Sequence, residues 1–341
     1  MTLPLAFESR VRLTQPLFNE TIRQNYALTR HRRTAQELHR RAAARRLAAQ
    51  VQLAYLSYAA ARNAAAIYES SVGLVTENER VAQRLVEAGR GTPDAVFRAR
   101  AERSDVEQRL AEAREQVDAA ARALNQLLRR PLDTPVDAVP DTALTFDITF
   151  SADEAEAHAL AQREELGELD AGARTADAAA GIATAAFLPS IAVAVDYGFQ
   201  GQDVRLDRQH DYWMASLVVS WNLFNGGQDA ARRSAAHIEA DRLRLTREDA
   251  ADRIRLEVRQ AYEAAIVARE AIATAEARVA AARRTFDLVR RRYEEGEANQ
   301  IEFLDARTQL TNAELNRALT ANRYAMRYVD LERAAALRSL D

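Results

Sequence analysis

Apolar and polar positions change period along the chain. From Tyr212 to Phe224 they alternate. Trp213, Ala215, Leu217, Val219, Trp221 and Leu223 share one face, with Ser216, Ser220 and Asn222 on the other. Period two predicts a strand with one apolar face. Its two tryptophans stand eight residues apart, roughly 26 Å in an extended chain. That is close to the apolar band of a membrane barrel, whose rims carry aromatic girdles. A buried sandwich strand explains the alternation equally well, so from this strand alone both readings stay open. After Gly226-Gly227 the period becomes seven. Ala251, Val258, Ala265, Ile272, Val279, Phe286 and Tyr293 recur at that spacing, and Ile254, Ala261, Ala268, Ala275, Ala282 and Val289 form a second seam. Sustained heptads predict a coiled-coil helix. From Gly227 to Tyr293 it would run roughly 100 Å at about 1.5 Å per residue.

The same order occurs earlier. Residues 7–18 alternate weakly, with Phe7, Val11, Leu13 and Leu17 on one face, and end in Pro16-Leu17-Phe18-Asn19, like Asn222-Leu223-Phe224-Asn225. At an offset of 207, Val51, Ala54 and Tyr55 meet Val258, Ala261 and Tyr262; Gly89 meets Gly296; Ala99-Arg100 meets Ala306-Arg307. The heptad seam is expected in phase at Ala44, Val51, Tyr58, Ala65 and Val72. These matches read as a tandem duplication. Each long helix stops at a glycine turn, Gly89-Arg90-Gly91-Thr92 and Gly296-Glu297. A second helix follows each, over 94–129 and 299–337, making antiparallel hairpins.

Pro131, Pro135 and Pro140 mark a linker. An alanine-rich helix is expected over 151–186, opened by an N-cap at Ser151. A strand follows, with Ile191, Val193, Val195, Tyr197 and Phe199 on one face, and the polar loop 200–211 joins it to the strand at 212. The expected organisation is a first repeat over 1–130, a linker over 131–150 and a second repeat over 151–341. The first repeat is shorter by one helix and one strand, as if the amino terminus had been cut off.

Composition supports long helices. Hydrophobic residues make up 48% but aromatics only 6%, so alanine carries much of the apolar content, which suits packed helices better than one thick core. A net charge of −3 gives no basic footprint for nucleic acid. The absence of cysteine removes thiolate metal sites and thiol catalysis. The five histidines, His31, His39, His158, His210 and His237, show no metal-ligand spacing. Gly226-Gly227 lacks the rest of a dinucleotide fingerprint. No catalytic signal, cofactor or metal is expected. No apolar run of about 18 residues is long enough for a transmembrane helix, which a membrane barrel does not need.

Phe187-Leu188-Pro189-Ser190 before a strand, Trp221-Asn222-Leu223-Phe224-Asn225-Gly226-Gly227 after one, Tyr293-Glu294-Glu295-Gly296 at the turn and then Phe303-Leu304-Asp305-Ala306 carry a resemblance. In this order the chain resembles the TolC family of outer-membrane efflux and secretion channels. The resemblance implies a mainly helical chain with a small membrane β part. Its long antiparallel coiled coils form an α-barrel tunnel, and its strands contribute to a trimeric 12-stranded barrel. It implies an outer-membrane location with helices reaching into the periplasm, and a passive duct for tripartite efflux or type I secretion. The partners would be a periplasmic adaptor, an inner-membrane pump beyond it, and outer-membrane lipid.

The resemblance also points to residues. Glu302 and Asp305 fall on the family's acidic gate positions, and Tyr293 on a position that bonds between helices at the closed tip. The family's basic partner after the glycine is absent, with Glu297, Ala298 and Asn299 standing there. Gly89, Arg90, Gly91, Thr92, Gly296 and Glu297 occupy the tips that would meet an adaptor. Trp213, Trp221, Tyr197 and Phe199 would form the aromatic girdle. On physical grounds alone Glu302 and Asp305 also suit a solvated helix start, and Gly89 and Gly296 suit helix C-caps. Two rival classes remain. A periplasmic adaptor would add lipoyl-like and barrel modules rich in Gly and Val, which are not seen. A soluble coiled-coil scaffold would not need the alternating strands.

Overall fold

A computed structural model describes residues 7–137, 146–201 and 211–339. The elements run β1 (Phe7–Phe18), α1 (Glu20–Glu87), α2 (Pro93–Leu127), α3 (Ala152–Gln162), α4 (Glu164–Ala185), β2 (Ser190–Gly201), β3 (Asp211–Ser220), α5 (Gln228–Glu295) and α6 (Gln300–Ala334). The fold is mainly helical with one small antiparallel sheet. No described helix is long and apolar enough to cross a membrane. The chain forms two compact units, Met1–Ala42 with Glu164–Asp252, and Ala43–Arg163 with Arg253–Asp341. Each unit draws on both halves of the sequence.

The first unit holds the sheet, in the order β1-β2-β3. Arg12 faces Asp196 and Tyr197 faces Trp213 across the ladders, with a register shift between Pro16 and Phe18. One face is apolar and exposed, carrying Val11, Leu13, Tyr197, Trp213, Leu217 and Val219. On the other, Asp196 is buried and gripped by Arg12, with Nε–Oδ1 2.6 Å and Nη2–Oδ2 3.0 Å. Gly198 allows the strands to meet: a Cβ there would lie 2.3 Å from the Ser9 carbonyl oxygen.

The strand expected to run to Phe224 ends at Ser220. Apolar alternation continues, but the backbone turns because Asn222 Nδ2 donates to Asp229 Oδ2 at 2.7 Å and Asn225 Oδ1 accepts from the Asp229 amide at 3.3 Å. Asn19 does the same for α1, accepting from the Ile22 amide at 3.2 Å. The expected helix over 151–186 is two helices. Ser151 and Glu154 close a capping box on α3, and Arg163 turns extended, with φ −67° and ψ 121°. Its guanidinium is held by Glu257 and by the Ala334 carbonyl at 3.3 Å. A good helix former is thus drawn out of the helix by tertiary partners.

The second unit is helical and packs through alanine seams. In α5 the expected positions Ala251, Ile254, Val258, Ala265, Ala268, Ala275, Phe286 and Tyr293 are buried. In α1 the expected seam holds in part: Tyr58 is buried and Val51, Ala65 and Val72 are half-buried, but Ala44 is exposed, while Ala49 and Leu56, off that seam, are buried. Ala49 and Leu56 pack with Ala325 and Val329 of α6, so α1 turns a second stripe inward beside the one carried over from α5. Extended segments lie across the helices, and tyrosines satisfy their backbone carbonyls. Tyr58 donates to Val136 O at 2.9 Å, Tyr55 to Asp137 O at 3.3 Å and Tyr262 to Phe150 O at 3.1 Å. Asn125 donates to Leu132 O and Thr134 O at 2.9 and 2.8 Å. The linker prolines 131 and 135 lie in this region; Pro140, like His210 and most of the 200–211 loop, lies outside the described residues.

Candidate functional site

The two turns of the second unit carry most of the candidate residues. After α1, the Arg90 amide bonds Leu85 O at 2.8 Å and the Gly89 amide bonds Val86 O at 3.0 Å. After α5, the Glu297 amide bonds Arg292 O at 2.7 Å and the Gly296 amide bonds Tyr293 O at 3.1 Å. Both are Schellman caps, which place the residue after the helix in the left-handed region. Gly89 has φ 71° and Gly296 φ 83°. Open space surrounds both, so backbone conformation alone requires glycine within the chain. Gly91 is different: a Cβ there would meet Val86 N at 3.0 Å.

The helices that follow start differently. Thr92 has extended φ and ψ but makes no side-chain cap bond, and Pro93 opens α2. Asn299 Oδ1 accepts from the Glu302 amide at 2.9 Å, and its Nδ2 donates to Glu302 Oε1 at 2.9 Å. Arg292 stands 4.0 Å from Glu302. Asp305, three residues on, accepts from Gln309 Nε2 at 2.8 Å. Both carboxylates are exposed on one face of α6. Tyr293 is buried in a cluster with Phe286, Ala298, Phe303, Ala306 and Leu310. Its ring stacks on Phe303 at 5.0 Å, and burial pushes its hydroxyl above the ordinary value. Within this chain it packs.

Sequence reasoning missed a polar layer near these turns. Arg307 of α6 is only 3% exposed. Nη1 donates to Ser71 Oγ of α1 at 2.8 Å and Nη2 to Glu102 of α2. Burial lowers the guanidinium from its ordinary value, against the pull of Glu102. The buried Glu79 lies 3.1 Å from both Arg100 and Arg103. A helical arginine normally reads as solvated, and nothing in the local sequence marks Arg307 as buried.

In the first unit, Tyr197 and Phe199 meet edge to face at 5.7 Å. Trp213, 75% exposed, faces Tyr197 on the neighbouring strand. Trp221, 59% exposed, lies just past β3 and donates Nε1 to the Phe187 carbonyl at 3.1 Å. Aromatics therefore stand at both ends of the sheet. No group of metal-binding side chains occurs among the described residues.

The described residues thus combine a small sheet with an exposed apolar face and long capped helical hairpins. Residues 157–337 match the family model for the outer membrane efflux protein, and the chain belongs to that family. Its members are channels rather than enzymes. The fold is similar to that of CusC, a protein described as forming a transmembrane channel, with TM-score 0.85, 19% identity, and 97% of this chain and 77% of that one covered. It is similar to the MtrE outer membrane channel of Neisseria gonorrhoeae, with TM-score 0.81, 20% identity, and 98% and 80% covered. It is also similar to the CmeC outer membrane channel of Campylobacter jejuni, with TM-score 0.77, 18% identity, and 97% and 78% covered. A search of the curated proteins found no match.

Proposed function

We propose that this chain assembles with copies of itself into a passive exit duct across the outer membrane and periplasm. The duct serves tripartite efflux or type I secretion, with the sheet in lipid and the helices forming the tunnel. The carrying observation is the open three-stranded sheet among the described residues, whose apolar face is exposed. Hydrocarbon does not tolerate unpaired sheet edges, and three strands are fewer than the roughly eight a closed barrel needs. Strands of several copies must therefore pool, as a homotrimer in this reading, where the three described strands of each copy supply nine of the barrel's twelve. Family membership and the likeness in fold to outer membrane channels support it.

In this duct Glu302 and Asp305 form carboxylate rings at the periplasmic end and favour cations. Tyr293 belongs to the same closed end. Gly89, Arg90, Gly91, Thr92, Gly296 and Glu297 meet a periplasmic adaptor, which links the duct to an inner-membrane pump. Trp213, Trp221, Tyr197 and Phe199 form the girdle. The repeats 1–130 and 151–341, joined by 131–150, descend from one duplication; equal helix lengths, 68 and 35 residues in each hairpin, support this. The test is conductance of the purified protein in planar bilayers. We expect ion-conducting steps, with cation preference reduced in Glu302→Gln/Asp305→Asn. A protein that stays monomeric without detergent and carries no current would overturn the reading.

A further inference from the structure

The buried stripes of α2 and α6 are low in information. Along α6 the buried residues are Phe303, Ala306, Leu310 and Ala313, and along α2 they are Ala99, Val106 and Ala113. Sliding α6 by one heptad sets Leu310 in place of Phe303 and Ala313 in place of Ala306, and along α2 a heptad separates only small apolar residues, Ala99, Val106 and Ala113. A coiled coil built this way is stable in more than one register, and single buried polar residues are the best-attested device for choosing one.

Arg307 has the features of such a device. It lies beside the seam residue Ala306, is buried, and reaches two helices at once, Ser71 on α1 and Glu102 on α2. Ser71 Oγ is also 3.5 Å from Thr311 Oγ1. Sliding α6 by a heptad would move the guanidinium about 10 Å, at about 1.5 Å per residue, and break its bonds to both Ser71 and Glu102. The layer is not optimised for stability. Among the described residues, buried side-chain atoms without a hydrogen-bond partner include Arg307 Nε and both polar atoms of Asn78. A partly satisfied polar layer costs more than an apolar one of the same shape.

We propose that Arg307 is a positioning residue: it selects the axial register of α6 against α1 and α2, and so the height at which Glu302 and Asp305 stand. The second clause rests on the channel reading; the register itself does not. The chain has no cysteine, so spin labels at Thr76→Cys and Gln309→Cys, both exposed, attach nowhere else. Distances between them are measured by pulsed electron spin resonance on the full chain in detergent, diluted with unlabelled protein. The parent is expected to show one narrow peak. Arg307→Met/Glu102→Leu is expected to keep its helicity, to melt no lower, and to gain a second peak displaced by about 10 Å, one heptad. Arg307→Lys, which keeps the charge, is expected to show a smaller second peak than the apolar pair. A single peak in the apolar pair overturns the proposal. So does an apolar pair that fails to fold or melts markedly lower, because Arg307 would then serve stability rather than register. Loss of bilayer conductance with the register result intact would count against the channel reading alone.

Discussion

The two helical hairpins of the second unit share a backbone and differ in filling. Their turns make the same hydrogen bonds 207 residues apart, and both require a glycine with positive φ. Inside, two of four equivalent positions are charged in one hairpin and apolar in the other, and the remaining two hold valine in place of an aromatic ring. Phe286, Tyr293, Phe303 and Leu310 form the core of the α5–α6 turn; Glu79, Val86, Val96 and Arg103 stand at those places between α1 and α2. Glu79 and Arg103 make an ion pair at 3.1 Å where the other hairpin has packed carbon. Arg100 binds Glu79 of its own hairpin, whereas its counterpart Arg307 binds Glu102 of the other. The backbone geometry is shared while the interior differs, so the two tips should differ in how firmly they are closed.

The largest expected contrast is in the core. Phe303→Ala should cost about 3–5 kcal/mol, as buried aromatic truncations do, and should open the α5–α6 turn to amide hydrogen exchange. Val96→Ala at the matching place should cost less than about 2 kcal/mol, because a valine has less apolar surface to lose. Equal losses would break the contrast. Next come the caps, where the hairpins should agree. Gly89→Ala and Gly296→Ala should each cost about 1–2 kcal/mol for a side chain in the left-handed region, read from thermal melts. If Gly296 tolerates alanine and Gly89 does not, the shared geometry is wrong.

Smaller effects should separate the hairpins again. Asn299→Ala should cost about 1 kcal/mol, the usual value for a bonded N-cap. Thr92→Ala should cost less, because its side chain caps no backbone amide and bonds only the exposed Asp94 carboxylate. The smallest effect is in acid. Asp94 titrates below its ordinary value of 3.8, chiefly through the Thr92 hydroxyl and then Arg98. A group more acidic when folded stabilises fully above its free value and progressively less as pH falls below it. Exchange at the start of α2 should therefore quicken below about pH 3.8. At the start of α6, where Ile301 takes the place of Asp94, this contribution is absent.

Much of the fold was legible because its determinants are local. Glycine at a helix end, asparagine before a helix and a strict heptad in α5 each have one dominant physical meaning. The errors arose where distant partners decided. Arg163 leaves the helix for Glu257 and the Ala334 carbonyl, and arginine itself favours helix. The alternation through Leu223 continued past the strand because Asn222 and Asn225 turn the backbone first. The α1 seam was read only in part: Tyr58 is buried as expected, but Ala49 and Leu56 answer to α6 and lie off the stripe used by α5. Of the candidate site, the turn glycines and the carboxylate pair were visible in the sequence. The burial of Arg307 was not, since only three helices together create it.

The account depends most on the sheet lying in lipid while the helices stay wet. Both tryptophans of the chain stand on or beside the sheet, at Trp213 and Trp221, so their fluorescence reports on it alone. In vesicles of brominated phospholipid both should be strongly quenched, in W213F and W221F as well as in the parent, with little quenching by aqueous iodide. Emission quenched fully by iodide and untouched by brominated lipid would contradict it.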